Sequence, residues 1–128
     1  SWVFGENGNN FIDTMLRLSK ERDSLNVIND QVGSPTYTKD LASLLIDMIE
    51  GDKYGIYHAT NEGYCTWYEF AKEIFKIGNI VNPITTSEYS TMAARPMNSK
   101  MSKNKLIKNE FNKLDNWKES VKKYITNR

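Results

Sequence analysis

The sequence predicts an α/β fold with few short strands and about four to five helices. Three observations carry that expectation. Short apolar runs alternate with amphipathic helical stretches along the chain. Helix-capping residues stand where the periodicity switches, most clearly at Thr66-Trp67-Tyr68-Glu69. A polar run stiffened by Gly33 and Pro35 sits at the carboxyl end of one strand, where α/β proteins place ligand contacts.

Residues 2–4 read as a buried strand stopped by Gly5 and the Glu6-Asn7-Gly8 turn. A helix is expected over 10–22, capped by Asn9 or Asn10, with Phe11, Met15, Leu16 and Leu18 as its apolar stripe. Residues 25–28 form the next strand and lead into the polar run, where Pro35 holds Ser34 extended. The clearest helix covers 38–50. Leu41, Leu44, Leu45, Met48 and Ile49 fall on one face, Asp40 favours the first turn, and Gly51 ends it. Residues 54–59 read as a strand bounded by Asn61-Glu62-Gly63. The capping box at Thr66 then opens a helix through Ile77, closed by Gly78-Asn79. The Ser/Thr-rich stretch 83–94 is expected to hold a short strand at 84–85 and then loop. Residues 98–101 read as extended, and Ser102 can cap a short helix through Ile107. Asp115 or Asn116 caps a last helix that turns Trp117, Val121 and Tyr124 or Ile125 inward.

At 128 residues this is expected to be one domain over 1–128. A net charge of +1 gives no global drive toward nucleic acid or membrane. The charge is uneven: residues 100–128 carry +6 and residues 1–99 carry −5, which reads as a solvated basic helix surface or as a face toward a diphosphate or an acidic partner. The single cysteine, Cys65, excludes an internal disulfide and suits a reducing, cytoplasmic setting. It has no neighbouring His to activate it and reads as a packing residue. No apolar run is long enough to span a bilayer, and no secretory signal is apparent. The chain opens on Ser1-Trp2-Val3 with a strand already under way, as expected of a piece of a larger protein.

Three segments, Ser1-Trp2-Val3-Phe4-Gly5 with Gly8-Asn9-Asn10-Phe11, Asn29-Asp30-Gln31-Val32-Gly33-Ser34-Pro35-Thr36, and Ala94-Arg95-Pro96-Met97-Asn98-Ser99, resemble the dTDP-4-dehydrorhamnose reductase family of extended short-chain reductases. The match runs in the family's order but reaches only its second half. The resemblance therefore implies the C-terminal substrate-binding portion of a Rossmann-like enzyme, with the N-terminal dinucleotide-binding half absent. NADPH or NADH would be bound by that missing half, and the catalytic Tyr-x-x-x-Lys pair would lie upstream of Ser1. The expected ligand is a dTDP-sugar on the way to bacterial surface rhamnose. Some family members bind magnesium at a subunit contact, so magnesium and a homodimer stay open for the intact enzyme. No acidic cluster here can be assigned to a metal.

Tyr68-Glu69-Phe70-Ala71-Lys72 spells the Tyr-x-x-x-Lys motif, but it follows the capping box directly and no Gly-rich loop precedes it, so it reads as a decoy. Trp2 is a core indole on composition alone. By resemblance it borders the sugar pocket, with Phe4 in place of the family's usual Tyr. Asn9 and Asn10 serve equally as helix caps or as donors over a pyrophosphate. The resemblance places Gln31 on the nucleotide, where its amide can donate and accept. Arg95, held extended before Pro96, suits bidentate phosphate binding. Asn98 and Ser99 read as support for their loop, and His58 as a structural histidine. A non-catalytic reductase-like regulatory or binding subunit is the alternative, and an epimerase or dehydratase of the same class is a third reading, disfavoured by Trp2.

Overall fold

The computed structural model describes residues 1–76, 80–89 and 91–128. In chain order these form β1 (Val3–Phe4), α1 (Phe11–Ser19), β2 (Ser24–Ile28), β3 (Val32–Gly33), β4 (Thr36–Tyr37), α2 (Thr38–Ile49), β5 (Cys65–Thr66), α3 (Trp67–Phe75), β6 (Ile80–Ile84), α4 (Asn104–Lys108) and α5 (Trp117–Thr126). A 3-10 turn occupies Thr86–Glu88. The α/β class is as expected, with strands that are short and paired two by two. Parallel pairs join β1 to β4 and β2 to β6, and an antiparallel pair joins β3 to β5.

Helix starts follow local chemistry. Asn10 caps α1, its Oδ1 accepting the Asp13 amide at 3.0 Å. The helix stops at Ser19 rather than continuing to residue 22, because the Lys20-Glu21-Arg22-Asp23 run has no apolar side chain to bury. At α3 both halves of the capping box are made. Thr66 Oγ1 accepts the Glu69 amide at 3.1 Å, and Glu69 Oε1 accepts the Thr66 amide at 2.9 Å. Thr66→Ala should therefore cost about 1 kcal/mol in urea unfolding, and Thr66→Ser should cost less than half of that. Helix α3 ends at Phe75, where Lys76 turns to φ 51°. The expected extension to Ile77 and the Gly78-Asn79 closure fall outside the described residues. Asn116 caps α5, which buries Trp117, Val121 and Tyr124 and half-buries Ile125.

Three expectations need correction. Residues 54–59 form no strand: among the described residues no strand runs beside them to take their backbone groups. Tyr54 and Ile56 are exposed, while Tyr57 packs edge-on against Phe111. The strand expected at 84–85 is Ile80–Ile84 instead. It tolerates Pro83 because, among the described residues, β6 pairs on one side only, with β2. The five-residue stripe of α2 also splits. Leu44 is buried and Met48 half-buried in the small Leu106–Leu114 cluster and Leu41 is half-buried, but Leu45 and Ile49 are exposed. The short helix expected after Ser102 is α4, whose N-cap is Lys103 rather than Ser102, although Ser102 Oγ accepts the Asn104 amide at 3.3 Å.

The main core gathers Phe4, Ile12, Val27, Phe70, Trp117 and Tyr124 from α1, α3, α5 and the paired strands. Cys65 is part of it. Burial, and after it the Glu69 carboxylate, pushes its thiol up to about 12, so it is not a nucleophile at neutral pH. His58 is exposed and makes no hydrogen bond among the described residues. None of the helices described is long and apolar enough to cross a membrane.

Candidate functional site

Trp2 sits at φ 52°, in the left-handed region that side chains rarely adopt. The conformation is held from both sides: the Thr36 amide donates to the Trp2 carbonyl at 3.0 Å, and the Thr36 hydroxyl donates to the Ser1 carbonyl at 2.7 Å. The indole lies so close to Gly33 that a Cβ there would meet its ring carbons at 2.9 Å. Gly33 is thus required for close approach. Trp67, the first residue of α3, stacks on Trp2 with ring centroids 3.8 Å apart.

The loop that carries Arg95 is tied to the polar run after β2. The Val32 amide donates to the Met97 carbonyl at 2.9 Å, and the Ser99 amide donates to the Val32 carbonyl at 2.7 Å. Asn98 bridges Val32 in parallel, consistent with the extended reading of 98–101. Asp30 anchors the 3-10 turn across the way, accepting the Thr86 amide at 3.0 Å on each carboxylate oxygen and the Thr86 hydroxyl at 2.6 Å.

These segments enclose a cleft of about 580 Å³, within the range of small-ligand sites. Trp2, Trp67, Phe11 and Met15 give it apolar lining, and Gln31, Thr86, Arg95 and Ser99 give it polar groups. Arg95 is exposed, and among the described residues no carboxylate pairs with it. Its planar guanidinium is open for bidentate contact with an anion. Trp2, Gln31 and Arg95 are thereby brought together from three separate stretches of sequence.

Asn9 and Asn10 do not line the cleft. Asn9 is exposed. Asn10 is absorbed by the fold: beyond its cap, Nδ2 donates toward the Gly5 carbonyl, Asp13 Oδ2 and the Tyr124 hydroxyl at 3.1–3.2 Å. Tyr68 and Lys72 also lie away from the cleft, with the Lys72 ammonium 5.5 Å over the Tyr68 ring. Trp67 and Thr86 line it although their sequence positions carried no such expectation. Thr86 had a readable signal, because Thr85 and Glu88 form a second capping box that fixes the turn. Among the described residues, no three His, Cys, Asp or Glu side chains converge to hold a metal, so the magnesium left open above finds no donor set here.

The Asp30 carboxyl is held below its ordinary range, first by the Thr86 hydroxyl and then by the Thr86 amide. A depressed folded value means that the contact stabilises above the unfolded pKa of about 3.9 and is lost as pH falls through the folded value. Asp30→Asn should flatten the acid limb of a stability–pH curve below about pH 4 and leave its neutral shape alone.

Fold and cleft together define an α/β domain whose cleft has an aromatic wall, the exposed Arg95 guanidinium and the Gln31 carboxamide, whose Nε2 donates to Thr86 Oγ1 at 3.2 Å. The chain belongs to the RmlD substrate binding domain family, whose profile matches residues 1–128. It is 52% identical over 114 residues to the dTDP-4-dehydrorhamnose reductase of Aggregatibacter actinomycetemcomitans, covering 77% of this chain and 39% of that protein. It is 40% identical to the spore coat polysaccharide biosynthesis protein SpsK of Bacillus subtilis, over 100% of this chain and 46% of the relative. Among solved structures, the Bacillus anthracis dTDP-4-dehydrorhamnose reductase in complex with NADP superposes with a TM-score of 0.96 at 41% identity, covering 100% of this chain and 47% of that one. The Clostridium acetobutylicum dTDP-4-dehydrorhamnose reductase gives 0.94 at 43% identity, over 98% and 46%. The chain therefore spans less than half the length of these relatives.

Proposed function

We propose that this chain is the substrate-binding, C-terminal portion of a dTDP-4-dehydrorhamnose reductase, which reduces dTDP-4-dehydro-6-deoxy-L-mannose to dTDP-L-rhamnose. The observation that carries the reading is the convergence of Trp2, Gln31 and Arg95 on one cleft in a chain of this family. NADPH or NADH, bound by the half of the protein that precedes this one, supplies the hydride for the sugar's C4 carbonyl. The Tyr-x-x-x-Lys pair that delivers the proton lies in that half as well. This chain's residues bind and orient the substrate. The aromatic wall takes the apolar face of the deoxysugar, with Trp67 already occupying one face of Trp2. Arg95 holds the diphosphate and Gln31 the nucleoside. Asn10 holds α1 and its turn, not the ligand. Gripping the substrate through groups remote from its carbonyl is what brings that carbonyl to reacting distance.

Exposed Leu45, Ile46, Ile49, Tyr54 and Ile56 support the larger-protein reading, because they are apolar surface left without cover. The setting that fits this reading is a cytoplasmic biosynthetic enzyme acting on a dTDP-sugar, with a homodimer open for the intact protein. NADPH oxidation in the presence of dTDP-4-dehydrorhamnose tests the proposal. The full-length protein should turn over, and the 128-residue chain alone should not. A full-length protein that binds dTDP-L-rhamnose yet never oxidises NADPH or NADH would instead be a non-catalytic reductase-like subunit.

A further inference from the structure

Gln31 is only 4% exposed, yet it lines the cleft, so it can show a ligand only a small part of its surface. Which part follows from its neighbours. The Thr86 hydroxyl lies between Asp30 Oδ1 at 2.6 Å and Gln31 Nε2 at 3.2 Å. An ionised carboxylate only accepts hydrogen bonds, so the single hydroxyl proton goes to Asp30. The Thr86 oxygen is then an acceptor toward Gln31, and the group that faces it must be the NH₂. The donor chain runs from Gln31 Nε2–H to Thr86 Oγ1–H to Asp30, and the Thr86 amide bound to the same carboxylate fixes its far end.

That order leaves Gln31 Oε1 without a hydrogen-bond partner among the described residues. It is not sealed in the interior either. The buried side-chain oxygen without a partner among the described residues is Glu62 Oε1, not that of Gln31. Oε1 is therefore an unpartnered acceptor that keeps some access to solvent, on a residue that lines the cleft.

We propose that Asp30 and Thr86 are positioning residues that present Gln31 as a hydrogen-bond acceptor to the ligand, so that this end of the cleft reads a donor group and turns away the diphosphate. The inference rests on the nucleotide-sugar reading given above. A diphosphate carries acceptors alone and is repelled by both Oε1 and the Asp30 carboxylate. It is thereby directed to Arg95 on the other loop. The donor facing Gln31 is either the imide N–H of the pyrimidine base or the 3′-hydroxyl of the deoxyribose.

Calorimetric titration with dTDP-L-rhamnose tests this in the parent and in Thr86→Val and Thr86→Ser. Thr86→Val keeps the volume but leaves the carboxamide free to rotate, and it should weaken binding about tenfold. Thr86→Ser restores the hydroxyl and should recover binding to within about threefold of the parent. A structural role alone would not make the loss depend on the ligand's donor. Two analogues, N3-methyl-dTDP and 3′-deoxy-dTDP, each lack one candidate donor. The analogue missing the donor that Gln31 reads should bind Thr86→Val and the parent equally, and so identifies the source. Equal binding of dTDP-L-rhamnose by the parent and Thr86→Val would overturn the inference alone. So would analogues that both lose affinity in Thr86→Val as dTDP-L-rhamnose does. A folded parent that binds none of the three would overturn the nucleotide-sugar reading and the inference with it.

Discussion

Phe70→Ala should lower the free energy of unfolding by about 3–5 kcal/mol, a large share of the stability of a domain this size. Phe70 is 1% exposed. Its ring lies 5.0 Å from that of Phe11, 5.8 Å from Trp117 and 6.1 Å from both Phe4 and Trp67. Truncation leaves a cavity where α1, α3 and α5 meet, ringed by large planar side chains that cannot collapse into it without leaving their rotamers. The damage should reach the cleft, since Trp2 packs 6.4 Å from Phe70 and stacks on Trp67. Urea unfolding followed by tryptophan fluorescence reads both effects. The midpoint should fall steeply, and the native spectrum should change because the environments of Trp2 and Trp67 loosen. The half-buried Phe75 provides the contrast, and Phe75→Ala should cost clearly less. A loss below 1 kcal/mol for Phe70→Ala would mean that the aromatic cluster is not the core.

Asn61→Ala should cost about 3 kcal/mol by a different route. Asn61 is fully buried, and one carboxamide ties three elements together. Its Oδ1 accepts the Tyr37 amide at 2.7 Å, at the junction of β4 and α2. Its Nδ2 donates toward Asp40 Oδ2 at 2.8 Å and toward the Asp115 carbonyl and Ser120 Oγ at 2.9 Å. Ser120 Oγ also donates to the same Asp40 oxygen. Alanine removes the side-chain partner and leaves the Tyr37 N–H and the Asp40 carboxylate short of theirs in a dry place, which costs more than the hydrogen bonds themselves contribute. Asn61→Asp separates charge from shape. It keeps the acceptor for Tyr37 but sets a second carboxylate against Asp40, so its own folded pKa is raised. Stability should then be low at neutral pH and recover as the solution is acidified, the reverse of the Asp30 contact. A pH-independent loss in Asn61→Asp would show that repulsion is not its cause.

Where a segment's structure is set by its own residues, the sequence revealed it. The caps at Asn10, Thr66 and Asn116 and the alternation of buried Leu25 and Val27 with exposed Ser24 and Asn26 are local, and each element starts or faces as its chemistry requires. The misreadings concern segments whose state depends on what lies beside them. Residues 54–59 have strand-like composition, but a strand needs a neighbour to accept its backbone hydrogen bonds, and among the described residues none is there. Periodicity sets Leu45 and Ile49 of α2 on one face with Leu44, but it does not report whether anything covers that face, and these two are exposed.

The cleft divides in the same way. The family resemblance pointed to Trp2 and Gln31, the guanidinium held extended before Pro96 pointed to Arg95, and all three line one cavity. Asn10 stood out equally, but a cap Asn and a ligand Asn look alike in sequence, and here the cap, Gly5, Asp13 and Tyr124 consume its polar atoms. The contact between Gln31 and Thr86 bridges positions 55 apart in the chain, which no local pattern reports. The stacking of Trp67 on Trp2 likewise depends on Gly33 leaving room for the indole.

Titration of the purified protein with dTDP-L-rhamnose, alongside Trp2→Ala and Arg95→Ala, bears on whether this cleft is a nucleotide-sugar site at all. The parent should bind one ligand per chain, and each variant should weaken binding about tenfold or more, Trp2→Ala by removing aromatic surface and Arg95→Ala by removing the diphosphate's charge partner. A folded parent that shows no heat of binding, or variants that both bind as the parent does, would contradict the assignment.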